Sequence, residues 1–249
     1  MVSDMASSLP YVFFVTFLLA SALYASVGHG GASAYLAIMG LCEMSPTEMK
    51  PIALILNIAV SLLAMINFSH AGHFSFRLFW PLAVASVPAA FLGGWLQVSN
   101  GIFRLILALA LFFGAWRLIF DAPASHDAVR RAGWPALLMI GGILGFLSGL
   151  IGIGGGIFLT PLLLLMRWAP TKSAAAVSAA FIAVNSLSGM GGFLTRGGHL
   201  PELAWSLLPF VIVGGWMGSR WGSGLASSTA LRRSLAAVLV IAAAKFVIL

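Results

Sequence analysis

The chain is short of charge. Of its 249 residues, 8% are Asp, Glu, Lys or Arg, against roughly a quarter in soluble domains; 61% are hydrophobic and mean hydropathy is +1.05. That balance excludes a soluble globular fold and predicts an integral membrane protein. There is one cysteine, Cys42, which excludes an intrachain disulfide and a multi-thiolate metal site. Clustered charge is missing as well. The 13 basic and 6 acidic residues, net +7, are scattered singly, as orienting loop charges are, and form no patch for nucleic acid. The alternating segments of about ten residues that build a barrel are absent; uncharged runs near 20 residues predict helices instead. A cleavable signal peptide is not expected, because the first run, 11–27, is long and no basic segment precedes it.

Acidic and basic side chains are also missing from the expected membrane interior. Every one can be placed at a span end or in a loop, including the polar cluster 43–50 that precedes Pro51. A charge at mid-membrane costs several kcal/mol and usually marks function, so a carboxylate-relay cation pump is not expected. No paired nucleophile and base, and no metal-ligand set, lies at depth, which ranks an intramembrane enzyme or assembly factor last. His70, His73 and His199 fall in short loops and read as interfacial residues. The glycines at 152–154 open no nucleotide loop: GxxxxGK[ST] is absent, and Ile157 stands where GxGxxG needs its last small residue. No cofactor is expected.

What is present is a chain that repeats itself. Apolar runs occupy 11–27, 51–68, 78–98, 102–120, 134–151, 173–194, 203–219 and 234–249, with short apolar pieces at 33–41 and 157–166. Gly28-His29-Gly30-Gly31 lies opposite Gly152-Ile153-Gly154-Gly155, and at the same offset Pro46-Thr47 matches Pro170-Thr171. Gly72-His73 matches Gly198-His199, Pro88 with Gly93-Gly94-Trp95 matches Pro209 with Gly214-Gly215-Trp216, and Arg104 matches Arg232. The predicted fold is an all-α multi-pass membrane protein of two homologous halves. Each has about four full transmembrane helices, a Gly-rich break and a short half-helix, and inverted topology is favoured. Residues 1–120 form the first repeat, 121–133 a polar loop and 134–249 the second repeat. The long runs reach about 27–30 Å and span hydrocarbon, whereas the short pieces reach about 15 Å. If the short pieces cross, Lys and Arg divide about 9 to 4 between the two sides, with the 121–131 loop cytoplasmic and both termini external.

The densest signal is 145–161, Gly-Phe-Leu-Ser-Gly-Leu-Ile-Gly-Ile-Gly-Gly-Gly-Ile-Phe-Leu-Thr-Pro. Unpaired backbone is tolerated at membrane depth only where it faces protein or a wet cavity, so the run predicts an interrupted helix. A helix start offers free amides and roughly half a positive charge, and a Gly-rich turn lets an oxyanion approach closely. Two breaks could aim two helix starts at one anion. The alternative is glycine used only for close packing, the reading favoured for Gly93-Gly94 and Gly214-Gly215. The candidate binding residues are Gly28, His29, Gly30, Gly31, Ser33, Asn57, Ser148, Gly152, Gly154, Gly155, Gly156, Thr160 and Asn185. Ser26, Ser61, Ser178, Ser186 and Ser188 complete the neutral polar inventory at depth. His29 is the candidate proton carrier or a structural histidine; Asn57 and Asn185 either clamp helices or line the site.

Ser148-Gly149-Leu150-Ile151-Gly152-Ile153-Gly154-Gly155-Gly156 with Pro161, then Pro170-Thr171-Lys172-Ser173-Ala174, resembles the sulfite exporter TauE/SafE family, also called the 4-toluene sulfonate uptake permease family. Gly214–Trp216 and Leu231-Arg232-Arg233 fit too, while Gly28-His29-Gly30-Gly31-Ala32-Ser33 departs from the Gly-x-Gly-Gly-Gly form. The resemblance implies transport of sulfite, sulfonates or related sulfur anions across the cytoplasmic membrane. Taken together, a secondary transporter for a small anion is expected, with an anion channel of the same architecture as the alternative. The expected partners are that anion, the lipid bilayer and protons as coupling ion; a homodimer is left open.

Overall fold

The computed structural model describes residues 11–103, 105–109, 112 and 130–224. Its helices are α1 (Tyr11–Ser26), α2 (Ala32–Leu41), α3 (Pro46–His70), α4 (Phe76–Trp95), α5 (Trp134–Ile151), α6 (Gly156–Leu165), α7 (Thr171–Thr195) and α8 (Glu202–Gly224). Residues 100–109 add a shorter apolar helix. The expected span 234–249, Arg104 and Arg232, most of 102–120 and the polar loop up to residue 129 lie outside the described residues. Helices α3, α4, α5 and α7 are long and apolar enough to cross a membrane. The molecule is an all-α multi-pass membrane protein.

The starts of the helices follow local chemistry. Ser45 is extended before α3, Pro46 occupies its first turn, and the Ser45 hydroxyl donates to Glu48 Oε2 at 2.8 Å. Ser-Pro-Thr-Glu is a helix-start signature. It sets the start of α3 at Pro46 and not at Pro51, which corrects the placement of 46–50 ahead of the helix; 43–45 stay outside it. Lys50 is therefore inside the helix, and it is buried. Helix α5 starts the same way, from an extended Gly133 with proline in the first turn.

Small residues then fix which helices touch and in which direction. A Cβ at Gly141, Gly145 or Gly149 of α5 would fall on the backbone of Leu82, Ser86 or Ala90 of α4. Both numbers rise together, so α4 and α5 run parallel with their backbones in contact, as small-xxx-small faces allow. In the same way Gly214, Gly218 and Gly222 of α8 meet Leu18, Ala22 and Ser26 of α1. Helices α4 and α7 are also parallel: Gly192 rests on Phe91, and Arg196 donates to the Trp95 carbonyl at 3.1 Å. Helices α3 and α8 are joined by Asn67, which donates to Ser219 at 2.8 Å, and by Gly215 against Val60.

Helices α3 and α7 cross the centre of the bundle antiparallel. Lys50 shares a cavity with Arg196, Asn57 bonds Ser186, and Ala64 and Phe68 pack with Ala175, Ala176 and Ala179. Helix α2 starts beside Asn57 and doubles back along α1, where Tyr35 stacks on Phe17 at 5.3 Å. Neither α2 nor α6 spans alone. Each returns from the interior to the end at which the next long helix begins.

Candidate functional site

The two glycine-rich segments are breaks between helices, each closed by glycine in left-handed backbone. Gly152 (φ 86) ends α5, Gly155 (φ 77) precedes α6 and Gly31 (φ 95) precedes α2. A side chain at those angles is strained, so glycine is required there. Neither Gly31 nor Gly155 has a side chain with which to cap the helix that follows it.

Asn57 joins the breaks. Its Oδ1 accepts from Ala32 N, the first amide of α2, at 3.2 Å. Its Nδ2 donates to the Ile153 carbonyl in the other break at 3.1 Å and to Ser186 Oγ on α7 at 3.2 Å. Gly30 and Gly154 press on this amide from the two breaks: a Cβ on the first would fall on Oδ1, and one on the second on Nδ2. These glycines serve close approach to one buried side chain.

A second polar chain runs beside it. His29 Nε2 lies 3.1 Å from Thr160 Oγ1 of α6, and Thr160 donates to Ser178 Oγ of α7 at 2.7 Å. With the Thr160 proton directed to Ser178, the bond to His29 is donated by Nε2–H. His29 also flanks Gly156, whose other neighbour is Ile182. The structure thus gathers His29, Gly30, Asn57, Gly154, Gly156 and Thr160 into one buried cluster, with Ser178 and Ser186 supplied by α7.

The remaining candidates lie around that cluster. Gly28 rests on Ala175 and Gly152 on the Lys50 carbonyl and Cγ, at the outer edges of the breaks. Gly155 packs against Phe181 and Ser148, and Ser33 is buried in the first turn of α2. Asn185 does not reach the junction. Its Nδ2 bonds Phe181 O in its own helix at 2.8 Å, while its Oδ1 and the Ser148 hydroxyl are buried without a hydrogen-bond partner. Gly93 and Gly94 are packing residues, pressed on Phe146 and Gly189.

Sequence reasoning missed Lys50. Its ammonium donates to the carbonyls of Gly93 at 3.3 Å and Gly94 at 3.2 Å, at the end of α4. The Ser-Pro-Thr-Glu start just before it was the signal that placed it inside a helix. Among the described residues, no group of three or more His, Cys, Asp or Glu could hold a metal ion.

A helical membrane protein with two interrupted hairpins meeting at its centre has the build of a transporter. The sulfite exporter TauE/SafE family model matches residues 13–246, and the chain belongs to that family. Its members are transporters and not enzymes. A probable membrane transporter protein of Sinorhizobium fredii is 33% identical over 236 residues, 93% of this chain and 95% of that protein. A probable membrane transporter of Methanocaldococcus jannaschii is 26% identical, over 61% of this chain and 59% of its own. One of Bacillus subtilis is also 26% identical, over 66% and 65%. No solved structure matches the chain.

Proposed function

We propose that this membrane transporter is a secondary carrier for a small anion, sulfite or a related sulfur oxyanion such as a sulfonate, in the cytoplasmic membrane. The observation that carries the reading is the meeting of the two breaks, each leading into a half-helix that its preceding glycine cannot cap, at one buried cluster around Asn57. Amides and the positive ends of two short helices are what an oxyanion takes up. No carboxylate stands in that cluster among the described residues. The binding residues are those of the two breaks, with His29, Ser33, Asn57, Ser148 and Thr160; Asn185, which does not reach the junction, is left out. His29, hydrogen-bonded through Thr160 to Ser178, is the proton carrier. The sulfur specificity rests on the family.

The chain is built of two inverted halves, 1–120 and 134–249, around the 121–133 loop. Support comes from helix directions: α1 with α8 and α4 with α5 form matching parallel pairs, while α3 and α7, the corresponding long helices, are antiparallel. Charge supports an orientation. Arg77, Arg130, Arg131, Arg167, Lys172 and Arg220 stand at the end where α4 and α7 begin. At the other end Lys50 and Arg196 are accompanied by Glu43, Glu48 and Glu202. The rule that basic loops stay inside puts the first end in the cytoplasm, and the start of α1 outside.

The test is uptake of labelled sulfite, thiosulfate and simple sulfonates into proteoliposomes, with and without a pH gradient. Saturable counterflow of at least one of them is the expected result. Ohmic currents without counterflow would replace the carrier by a channel, and inertness towards all of them would overturn the substrate class.

A further inference from the structure

At the end of the bundle assigned to the outside, an open cavity of about 50 Å³ lies between the start of α3, the ends of α4, α5 and α7, and the segment after α4. Its polar lining is Thr47, Lys50, Gln97, Asn100 and Arg196, with Leu150 on the inner wall; among the described residues no acidic side chain lines it. Two cations thus converge on one hollow without a counter-charge. A buried ammonium is costly unless it is paired and hydrogen-bonded, and Lys50 is 8% exposed. The two carbonyls of α4 take two of its three donors, which leaves one donor beside the cavity.

Helix capping alone does not account for this burial. Lys172 makes the same kind of bond, to the carbonyls of Ser223 at 2.9 Å and Gly224 at 3.4 Å at the end of α8, and does so exposed. Lys50, in contrast, lies beside Gly152 of the second break with its carbonyl oxygen and Cγ, while Gly28 of the first break rests on Ala175. The cationic hollow therefore adjoins one break, and the matching contact of the other break carries no charge.

We propose that Lys50 and Arg196 form an anion-capture subsite at the external mouth, for a small inorganic oxyanion on its way to the second break. Thr47, Gln97 and Asn100 are the neutral partners for its remaining oxygens. The size fits. A single water needs about 10–15 Å³ by the same measure, so the hollow has room for the few oxygens of a small oxyanion. The subsite deepens the carrier reading and rests on it for direction, but binding can be measured apart from transport.

The experiment titrates the purified full-length protein with sulfite, and with sulfate and chloride in parallel, following heat stability and tryptophan fluorescence. The same variants are reconstituted for initial-rate uptake. Wild type binds sulfite, and Lys50→Met weakens binding about tenfold or more, the scale of one hydrogen bond to a charged group. Lys50→Arg retains most of it, Arg196→Gln weakens it, and Lys172→Met leaves it unchanged. Arg196→Gln, at a half-exposed position, carries the test if Lys50→Met fails to fold. Lys50-dependent binding without transport would keep the subsite and remove the carrier. Transport with an unchanged KM in Lys50→Met and Arg196→Gln would keep the carrier and remove the subsite. Equal weakening by Lys172→Met would reduce the effect to general surface charge and overturn the proposal.

Discussion

Replacing Asn57 by leucine keeps the branched shape of the side chain and removes its three hydrogen bonds. Ala32 N–H and the Ile153 carbonyl each lose the bond that ties them to α3. Leaving a buried polar group unpaired costs about 1–3 kcal/mol, so the two together destabilise by about 2–6 kcal/mol. For a chain of this length each kcal/mol moves the melting temperature by about 2–4 °C, giving a drop of about 4–24 °C. Asn185→Leu is the matched control. It loses one bond to its own helix and also removes a buried oxygen that has no partner, so it should stay within about 1 kcal/mol of wild type. The assay is loss of the monodisperse size-exclusion peak after heating in detergent, followed through tryptophan emission. Equal shifts for the two variants would refute the claim that one amide holds both breaks together, because a generic cost of removing a buried asparagine would then suffice.

Three further outcomes follow from the geometry. His29→Gln should retain substrate binding but flatten the pH dependence of uptake between about pH 5 and 8, where histidine titrates; an unchanged profile would make His29 a structural residue. Gly155→Leu and Gly31→Leu should abolish transport while the protein still inserts, whereas Gly94→Leu, whose Cβ would fall on the Gly189 carbonyl, should lower folded yield. Retained substrate affinity in Gly155→Leu would put the binding site elsewhere. Cys42 is the single cysteine and is exposed, just after α2 at the end assigned to the outside. An impermeant maleimide should label it in intact cells and fail to label Cys42→Ser. Labelling only after permeabilisation would invert the orientation.

The breaks were legible in the sequence because consecutive glycines inside an apolar run have few other uses in a membrane. The packing role of Gly93 and Gly94 was legible too, since both lie inside a continuous span. What could not be read was which residues meet across the bundle. Asn57 and Asn185 look alike in the chain, each a lone amide in the span after a half-helix. They differ because Gly30 and Gly154 leave room for Asn57 between the two breaks, whereas Asn185 is turned onto its own helix. Long-range juxtaposition, such as His29 with Thr160, leaves no trace in local spacing. Lys50 is a different failure. Hydropathy put it in a loop by charge, although the residues just before it already announced a helix.

The parallel glycine contacts have a consequence for how the chain can come apart. Helix α4 has its backbone against α5, and α1 against α8, so the tightest fits join the first part of the chain to the second. A cut in the connection between α4 and α5 would leave the glycine faces of α5 and α8 in one fragment and the faces of α4 and α1 that they pack on in the other. Neither piece would be an autonomous folding unit. The two would have to insert side by side and find each other in the bilayer, and any rocking motion of the intact molecule would divide it into bodies that each contain helices from both ends of the chain.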